Sequence, residues 1–477
     1  MLEMELKSKQ LIAVNRELET KFPFYINAGS TRLECSQLLR LLVGKRLVCK
    51  GRYQGRTVLL KIFFGPLYKR RYQRELDGVR LIQREEICTP RLISSNIDQQ
   101  SELAYIAFEY IENVESLDDR LKQASTTRQR LAVFKQALEL IAKMHSASIY
   151  QRDVHLDNFL IDGSTVYLID GDQIEKKVGK AGLLYEFVVN NLAMFFTQLY
   201  PWESAHIDSL ISSYIKLRRQ DFPKSLCDDI RQQLDEYKQW REKKYIEKKV
   251  FRRCSAFDVI KNWSQYCVYS RELEQSSVEQ FIVNPDKAIA NGKVLKSGRS
   301  AIVVKLELNG QSYIAKRYNR KSYLHQFARS LIPSRAAVSW KNGHLLEFNH
   351  MPTAKPLLML ENRCGAFRGR SYVITEYIEG CHAFDYFKSS QSVVEREAMA
   401  VRINRLVKNL HQSGFVHGDL KAHNIWIKRN EPILIDLDGM VKNGNKVDDW
   451  QRLYRDLGDS DIKQPLFSGI KLDELSQ

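Results

Sequence analysis

Two short stretches of the chain carry the same reactive side chains at the same spacing. Asp153 is followed five residues later by Asn158, and 17 residues later by Asp170 at the end of the apolar run "VYLID". Asp419, Asn424 and Asp436 repeat that spacing, with "PILID" ending on Asp436. An aspartate in a loop can orient a hydroxyl and take its proton. An asparagine and a second aspartate supply the few oxygen ligands that magnesium asks of a protein, because that ion keeps several waters. Upstream, "TVLLKIF" and "SYIAKRY" each set one lysine, Lys61 and Lys316, in an alternating apolar pattern. Phosphoryl transfer from ATP needs mainly positioning and neutralisation of phosphate charge, and this set could supply both. D-x4-N by itself, or one strand lysine by itself, arises by chance. The ordered set, present twice, is far more specific.

The elements that must hold these residues also recur. With an offset of 266 residues, His145 falls on His411 and Asp170 on Asp436, without a gap over 26 residues. "FKQALELIAKMH" and "RINRLVKNLH" carry apolar residues at helical spacing ahead of each loop. Farther upstream "AFEYIEN" matches "ITEYIEG", and the candidate glycine loops are "CKGRYQGR", with Gly51 and Gly55, and "LKSGRSA", with Gly298. A period this long is not that of a solenoid. It indicates two copies of one domain, residues 1–275 and 285–477, divided near 270–285 where "ELEQSSVEQFIVNPD" loses its periodicity.

A hydrophobic share of 44% and a charged share of 27% place the chain among ordinary globular proteins with enough sequence for more than one core. The net charge of +17 favours anionic partners without choosing among them. Eight cysteines are scattered with no C-x-x-C pair, which argues against a zinc site and for reduced thiols. "MLEMELKSKQ" lacks the apolar core of a secretory signal. The most apolar window, from Gly182, contains Glu186, Asn190 and Asn191, so a buried helix is expected there rather than a membrane span. "YKQWREKKYIEKKVFRR" has eight basic and two acidic residues and could present Trp240, Tyr245 and Ile246 to an anionic membrane face. A solvated helix packed by its aromatic edge is the other reading. No nucleic-acid module accompanies the charge, and no nucleic-acid partner is expected.

The motifs resemble the protein-kinase-like superfamily. "HGDLKAHNI" followed by "LIDLDGM", together with "SRAAVSWKNGHLLEFNHMPTAKPL", is similar to the bacterial lipopolysaccharide core kinases, the Kdo and heptose kinase family. "YQRDVHLDNFL" and "YLIDGDQI" resemble that family more loosely. The resemblance implies an α+β fold of two bilobal kinase-like domains in tandem, each with a β-rich small lobe and a helical large lobe. It implies ATP and Mg2+ as cofactors. Asp153 and Asp419 become the bases, Asn158, Asp170, Asn424 and Asp436 the metal ligands, and Lys61 and Lys316 the phosphate-cradling cations. Glu109, Tyr110 and Ile111, with Glu376, Tyr377 and Ile378, become hinges whose backbone holds adenine. The implied acceptor is a sugar hydroxyl of the lipopolysaccharide core oligosaccharide or its lipid-linked precursor. The implied location is the cytoplasm, or the cytoplasmic face of the inner membrane.

The halves are not equivalent. Glu75 follows Lys61 by 14 residues and is the expected carboxylate partner on a helix. No acidic residue lies between Arg317 and Leu346, so Lys316 is expected to meet a polar group such as Asn342, or nucleotide phosphate alone. Lys421, two residues after Asp419, is placed to touch the transferred phosphate, whereas His155 holds that position in the first half. An imidazole neutralises less charge than an ammonium at pH 7. The Lys61–Glu75 pair tips the balance slightly to the N-terminal half, and the family resemblance pulls toward the C-terminal one. A protein kinase would need an A-P-E-like anchor, and none follows either strand aspartate. The 41 residues after Asp436 also fall short of a protein kinase's helical lobe. A scaffold of two silent kinase-like domains remains a third reading. His145 and His411 are expected to steady the loops that follow them.

Overall fold

The computed structural model describes residues 5–6, 10–11, 22–179, 182–319, 332–365, 367–389, 391–457 and 461–470. Most of "MLEMELKSKQ" therefore lies outside the described residues. The chain forms two compact units, Met1–Leu199 with Ala205–Tyr237, and Tyr200–Ser204 with Lys238–Gln477.

In the first unit an antiparallel sheet runs in the order Phe24–Ala28, Thr31–Leu42, Arg46–Tyr53, Arg56–Phe63, Leu103–Glu109, Leu92–Asp98. Alternation places Val58, Leu60 and Ile62 on a buried face with Leu47 and Cys49. Phe63, on the other face, packs with Tyr72, Leu76 and Val79 of helix Tyr68–Arg84. Each such side chain contributes about 1.5–3 kcal/mol by leaving water. The helical part is led by Thr127–Ser146, whose start is fixed by a capping box between Thr126 and Gln129. Its apolar stripe of Phe134, Leu138 and Ile141 packs with Phe195 and Phe196 of Tyr185–Phe196. The apolar window from Gly182 is thus a core helix, as its asparagines suggested. Among the described residues no helix is long and apolar enough to cross a membrane.

In the second unit the sheet order is Phe257–Lys261, Gln265–Ser270, Pro356–Cys364, Phe367–Glu376, Gln311–Tyr318, Ala301–Leu308, Lys293–Ser297. The boundary expected at 270–285 is therefore corrected. Gln265–Ser270 pairs with Pro356–Cys364 and buries Cys267 and Val268, so these strands belong to the second sheet. The segment read as losing its apolar periodicity is helical, Gln275–Val283 and Pro285–Asn291, and buries Val278, Phe281 and Ile289 beneath that sheet. The helical part comprises Ala383–Lys388, Val393–Gln412, Lys446–Leu457 and Lys463–Leu466, around Ile403, Val407, Leu410 and Leu453.

Two local expectations also change. The turn that matches Gly298 is Leu42–Lys45, closed by Lys45 N–H to Leu42 O at 2.9 Å, as Gly298 N–H closes on Ala301 O at 3.0 Å. Each turn leads into the strand that pairs with the lysine strand, Arg46 opposite Phe63 and Ala301 opposite Tyr318. Gly51 instead lies within a strand, where a Cβ would sit 2.0 Å from the Glu34 carbonyl oxygen. Of the proposed membrane face, Tyr245 stacks on Phe348 at 4.9 Å and Ile246 packs against the second unit's core. Trp240 alone of the three is exposed, with Lys244 over its ring.

Candidate active site

Both strand aspartates leave their strands in the left-handed region, Asp170 at φ +71 and Asp436 at φ +63. That conformation is uncommon for residues other than glycine and is kept where the surroundings over-determine it. The surroundings match in both units. Ile169 N–H bonds to Asn158 O at 2.9 Å and Ile435 N–H to Asn424 O at 3.0 Å, tying each loop asparagine to its strand aspartate. Asn158 and Asn424 donate through Nδ2 to the carbonyls of Asp153 and Asp419, at 2.9 and 2.7 Å. The amide nitrogen thus braces the loop in each unit.

In the C-terminal unit Lys316 forms a direct ion pair with Asp436 and lies 3.4 Å from Asp438. Burial works against the Lys316 ammonium, but the charges of Tyr318, Asp436 and Asp438 outweigh it and raise its pKa. Burial likewise works against the Asp436 carboxylate, and Lys316 more than offsets this, holding it below its ordinary range. Asn342 does not meet Lys316. Its Nδ2 donates to Leu437 O at 2.8 Å and Met440 O at 3.0 Å, fixing the backbone of the acidic turn. Glu347 pairs with His344 instead. Asp419 is half-exposed, with Lys421 Nζ 2.8 Å and Arg452 Nη1 3.8 Å from Oδ1. Asp436 and Asn424 offer the hard oxygen donors that magnesium takes, so this unit fits the metal.

In the N-terminal unit the expected pair is present, Lys61 Nζ to Glu75 Oε1 at 2.5 Å. Glu75 is fully buried and also accepts from Gly171 N–H at 3.2 Å. The helix can come this close because Gly78 faces Gly171; a Cβ on Gly78 would stand 1.8 Å from the Gly171 carbonyl oxygen. A further cation enters here. Arg46 Nη1 lies 3.5 Å from Glu75 Oε2 and 3.4 Å from Asp170 Oδ1. Burial pushes the Asp170 pKa up, but Lys61 and Arg46 together hold it below its usual range. Asp153 is mostly exposed, with His155 Nε2 at 3.3 Å.

The segments expected to act as hinges begin where their strands end, at Glu109 and Glu376. Glu109 N–H bonds to Arg91 O at 2.8 Å and Glu376 N–H to Lys355 O at 3.0 Å. Tyr110 and Tyr377 carry Lys50 and Lys305 over their rings, at 4.3 and 3.9 Å. Ile111 is half-buried and Ile378 buried.

A model of the lipopolysaccharide kinase (Kdo/WaaP) family matches residues 47–184 and 280–465, one segment in each half. The chain belongs to this lipopolysaccharide kinase family. Among solved structures, a "WaaP in complex with acyl carrier protein" is similar at 15% identity, over 44% of this chain and 88% of that chain, with a TM-score of 0.32.

Within this kinase the two loops are anchored by different chemistry. Asp449, fully buried, accepts from His417 N–H at 2.7 Å, Gly418 N–H at 2.9 Å and His411 Nε2 at 3.1 Å. Asp456 accepts from Ala422 N–H at 2.9 Å. In the N-terminal half the corresponding groups are amides. Asn191 donates to Gln151 O at 2.6 Å and meets His145 at 3.0 Å, and Gln198 accepts from Leu156 N–H at 2.7 Å. The histidines therefore do steady the loops, through partners the sequence reading missed. The signal was the shared seven-residue interval from Asn191 to Gln198 and from Asp449 to Asp456, hidden by amide-for-acid exchange.

His145 completes a one-directional chain. Arg218 Nη1 donates to Tyr214 Oη at 2.9 Å, Tyr214 sits 2.8 Å from Nδ1, and Nε2 faces the Asn191 oxygen. Only a neutral ring, donating through Nε2 and accepting at Nδ1, satisfies every member. Burial, with the Arg218 charge and against the Asn191 hydrogen bond, pushes the His145 pKa down to about 3. Unfolding lets the ring protonate near its ordinary value, so this stabilisation is complete above about pH 6.5 and declines as pH falls toward the folded value. We expect a loss of about 2 kcal/mol in the N-terminal unit by pH 5. Thermal melts of the full chain at pH 7.5 and 5 check this, and His145→Gln should flatten that share of the pH dependence.

Proposed function

We propose that the C-terminal half transfers the γ-phosphoryl group of ATP to a sugar hydroxyl of the lipopolysaccharide inner core. The observation that carries this reading is the disposition of Asp419. Its carboxylate is open to an acceptor, its backbone is braced by Asn424, and the residues before it hang on the buried Asp449. Asp419 takes the proton of the acceptor hydroxyl as its oxygen bonds to phosphorus and the bond to ADP breaks. Lys421 stands beside the transferred group and offsets its charge, and Lys316 holds the nucleotide phosphates. Asp436 and Asn424 would hold Mg2+, which supplies electrostatic neutralisation of the phosphate oxygens when bound. The Glu376–Ile378 segment presents the backbone to adenine. Family membership supports the acceptor class, and the +17 charge suits an anionic core or its lipid-linked precursor at the cytoplasmic membrane face. The test is mass spectrometry of dephosphorylated core oligosaccharide incubated with the full chain and Mg-ATP. A mass gain of one phosphate on a core sugar is expected, and no gain on any core sugar sinks the reading.

A further inference from the structure

The acidic cluster of the N-terminal half already holds two cations of its own. Carboxylate oxygens of Glu75, Asp170 and Asp172 converge within 4.8 Å of one another, an arrangement that suits a metal ion. Yet Lys61 Nζ lies 2.5 Å from Glu75 and 3.6 Å from Asp170, and Arg46 Nη1 lies against both of the same carboxylates. Arg46 is buried, with 8% of its side chain exposed. Lys61 and Arg46 offset two of the three carboxylates, Glu75 and Asp170, and a divalent ion added there would face two buried like charges. These residues do not fit Mg2+ as those of the C-terminal half do. At the strand position of Arg46 the C-terminal half has Ala301, so among the described residues Asp436 meets Lys316 without a second buried cation. Arg335, which pairs with Asp438, is half-exposed.

A second observation points to an anionic ligand. Arg46 Nε is buried and has no hydrogen-bond partner among the described residues. A guanidinium that gives one nitrogen to two carboxylates and keeps Nε–H free retains a donor suited to a phosphate oxygen. The strand that carries Arg46 follows the Leu42–Lys45 turn, the position from which this fold reaches nucleotide phosphates.

We propose that the N-terminal half binds a nucleoside triphosphate without a divalent metal, the Arg46 guanidinium taking the metal's place on Asp170, and transfers no phosphate. This rests on the reading of that half as a kinase-like nucleotide site. Arginine supplies a fixed charge and planar donors but does not bridge and polarise the γ-phosphate as a metal does, so the unit holds its nucleotide rather than spending it.

The experiment uses the full chain with Lys316→Ala and Asp436→Ala, which removes nucleotide binding by the C-terminal half. ATP is titrated calorimetrically, first in EDTA and then in magnesium. One equivalent should bind with affinities within about threefold of each other. Adding Arg46→Ala should weaken binding in EDTA by at least about tenfold, with magnesium now restoring it. Arg46→Lys, which keeps the charge and loses the fork, should fall between and guards against a variant that does not fold. Binding that requires magnesium in the parent, no binding under either condition, or Arg46→Ala that binds as before in EDTA would each overturn the proposal. No acceptor is present in these titrations, so their failure leaves the C-terminal transfer reading standing.

Discussion

Asp419→Asn is expected to lower phosphate transfer to the core oligosaccharide by about 10³-fold, the scale of a lost general base, while Asp153→Asn leaves the rate unchanged. The substitution keeps the side chain's shape and removes its ability to take a proton. Folding is little at risk. Asn424 braces the loop mainly through the Asp419 carbonyl, and the segment before it is tied to Asp449. The carboxylate itself is 46% exposed on the loop. Lys316 and the hinge are untouched, so the KM for ATP should hold while kcat falls, the signature of an interaction made only in the transition state. Initial rates with labelled ATP, compared for the two variants under identical conditions, decide it. If Asp153→Asn is the variant that loses activity, the working half is the N-terminal one, and the assignment of Arg46 falls with it.

Much of this arrangement was legible in the sequence because it is local. The interval from loop aspartate to strand aspartate is set by one hairpin, Ile425–Lys428 with Glu431–Leu434, or Phe159–Asp162 with Thr165–Leu168, so equal spacing meant equal geometry. Glu75 was also within reach, since in kinase-like folds the strand lysine pairs with a glutamate on the helix that follows. What escaped was long-range. Arg46 reaches Asp170 across 124 residues, and nothing in its neighbourhood distinguishes it from the many basic residues of a +17 chain. Asn342 was noticed but misassigned. It looked like a substitute for the missing helix glutamate, yet an amide carries no charge to offer Lys316, and its N–H groups go to the turn carbonyls. Lys316 instead takes its carboxylate from the strand end itself. The boundary slipped because the hairpin Phe257–Lys261 with Gln265–Ser270 joins its sheet through Gln265–Ser270, whose other partner lies about 90 residues later, at Pro356–Cys364. The slight preference for the N-terminal half rested on Lys61–Glu75. That pair is present, but Arg46 shares its carboxylates, and a formed pair does not by itself say which half transfers phosphate.

Asp449→Ala is expected to destabilise the C-terminal unit by about 3–5 kcal/mol, since it leaves several buried donors unpaired at about 1–3 kcal/mol each. Two backbone N–H groups and the His411 ring lose their acceptor in a fully buried place. Water cannot replace it without opening the packing of Trp450 and His411, whose rings stand edge to face at 5.8 Å. The loss should appear as a lower urea midpoint for the C-terminal unit's transition. Asp449→Asn separates anchoring from bulk stability. An amide offers one acceptor oxygen where the carboxylate offers two, so His417 N–H or Gly418 N–H must go unpaired. It does not reproduce the N-terminal half, where Asn191 donates to the Gln151 carbonyl and the loop backbone is turned to receive it. We expect Asp449→Asn to remain folded at 25 °C, to cost about 1–3 kcal/mol, and to lower kcat by about 10–100-fold as Asp419 loses its fixed position. A variant with normal stability and normal kcat would show that the buried carboxylate neither fixes the loop nor serves the base that follows it. Asn at this position would then be as good an anchor as Asp, and the difference in anchoring between the two halves would have no bearing on which of them transfers phosphate.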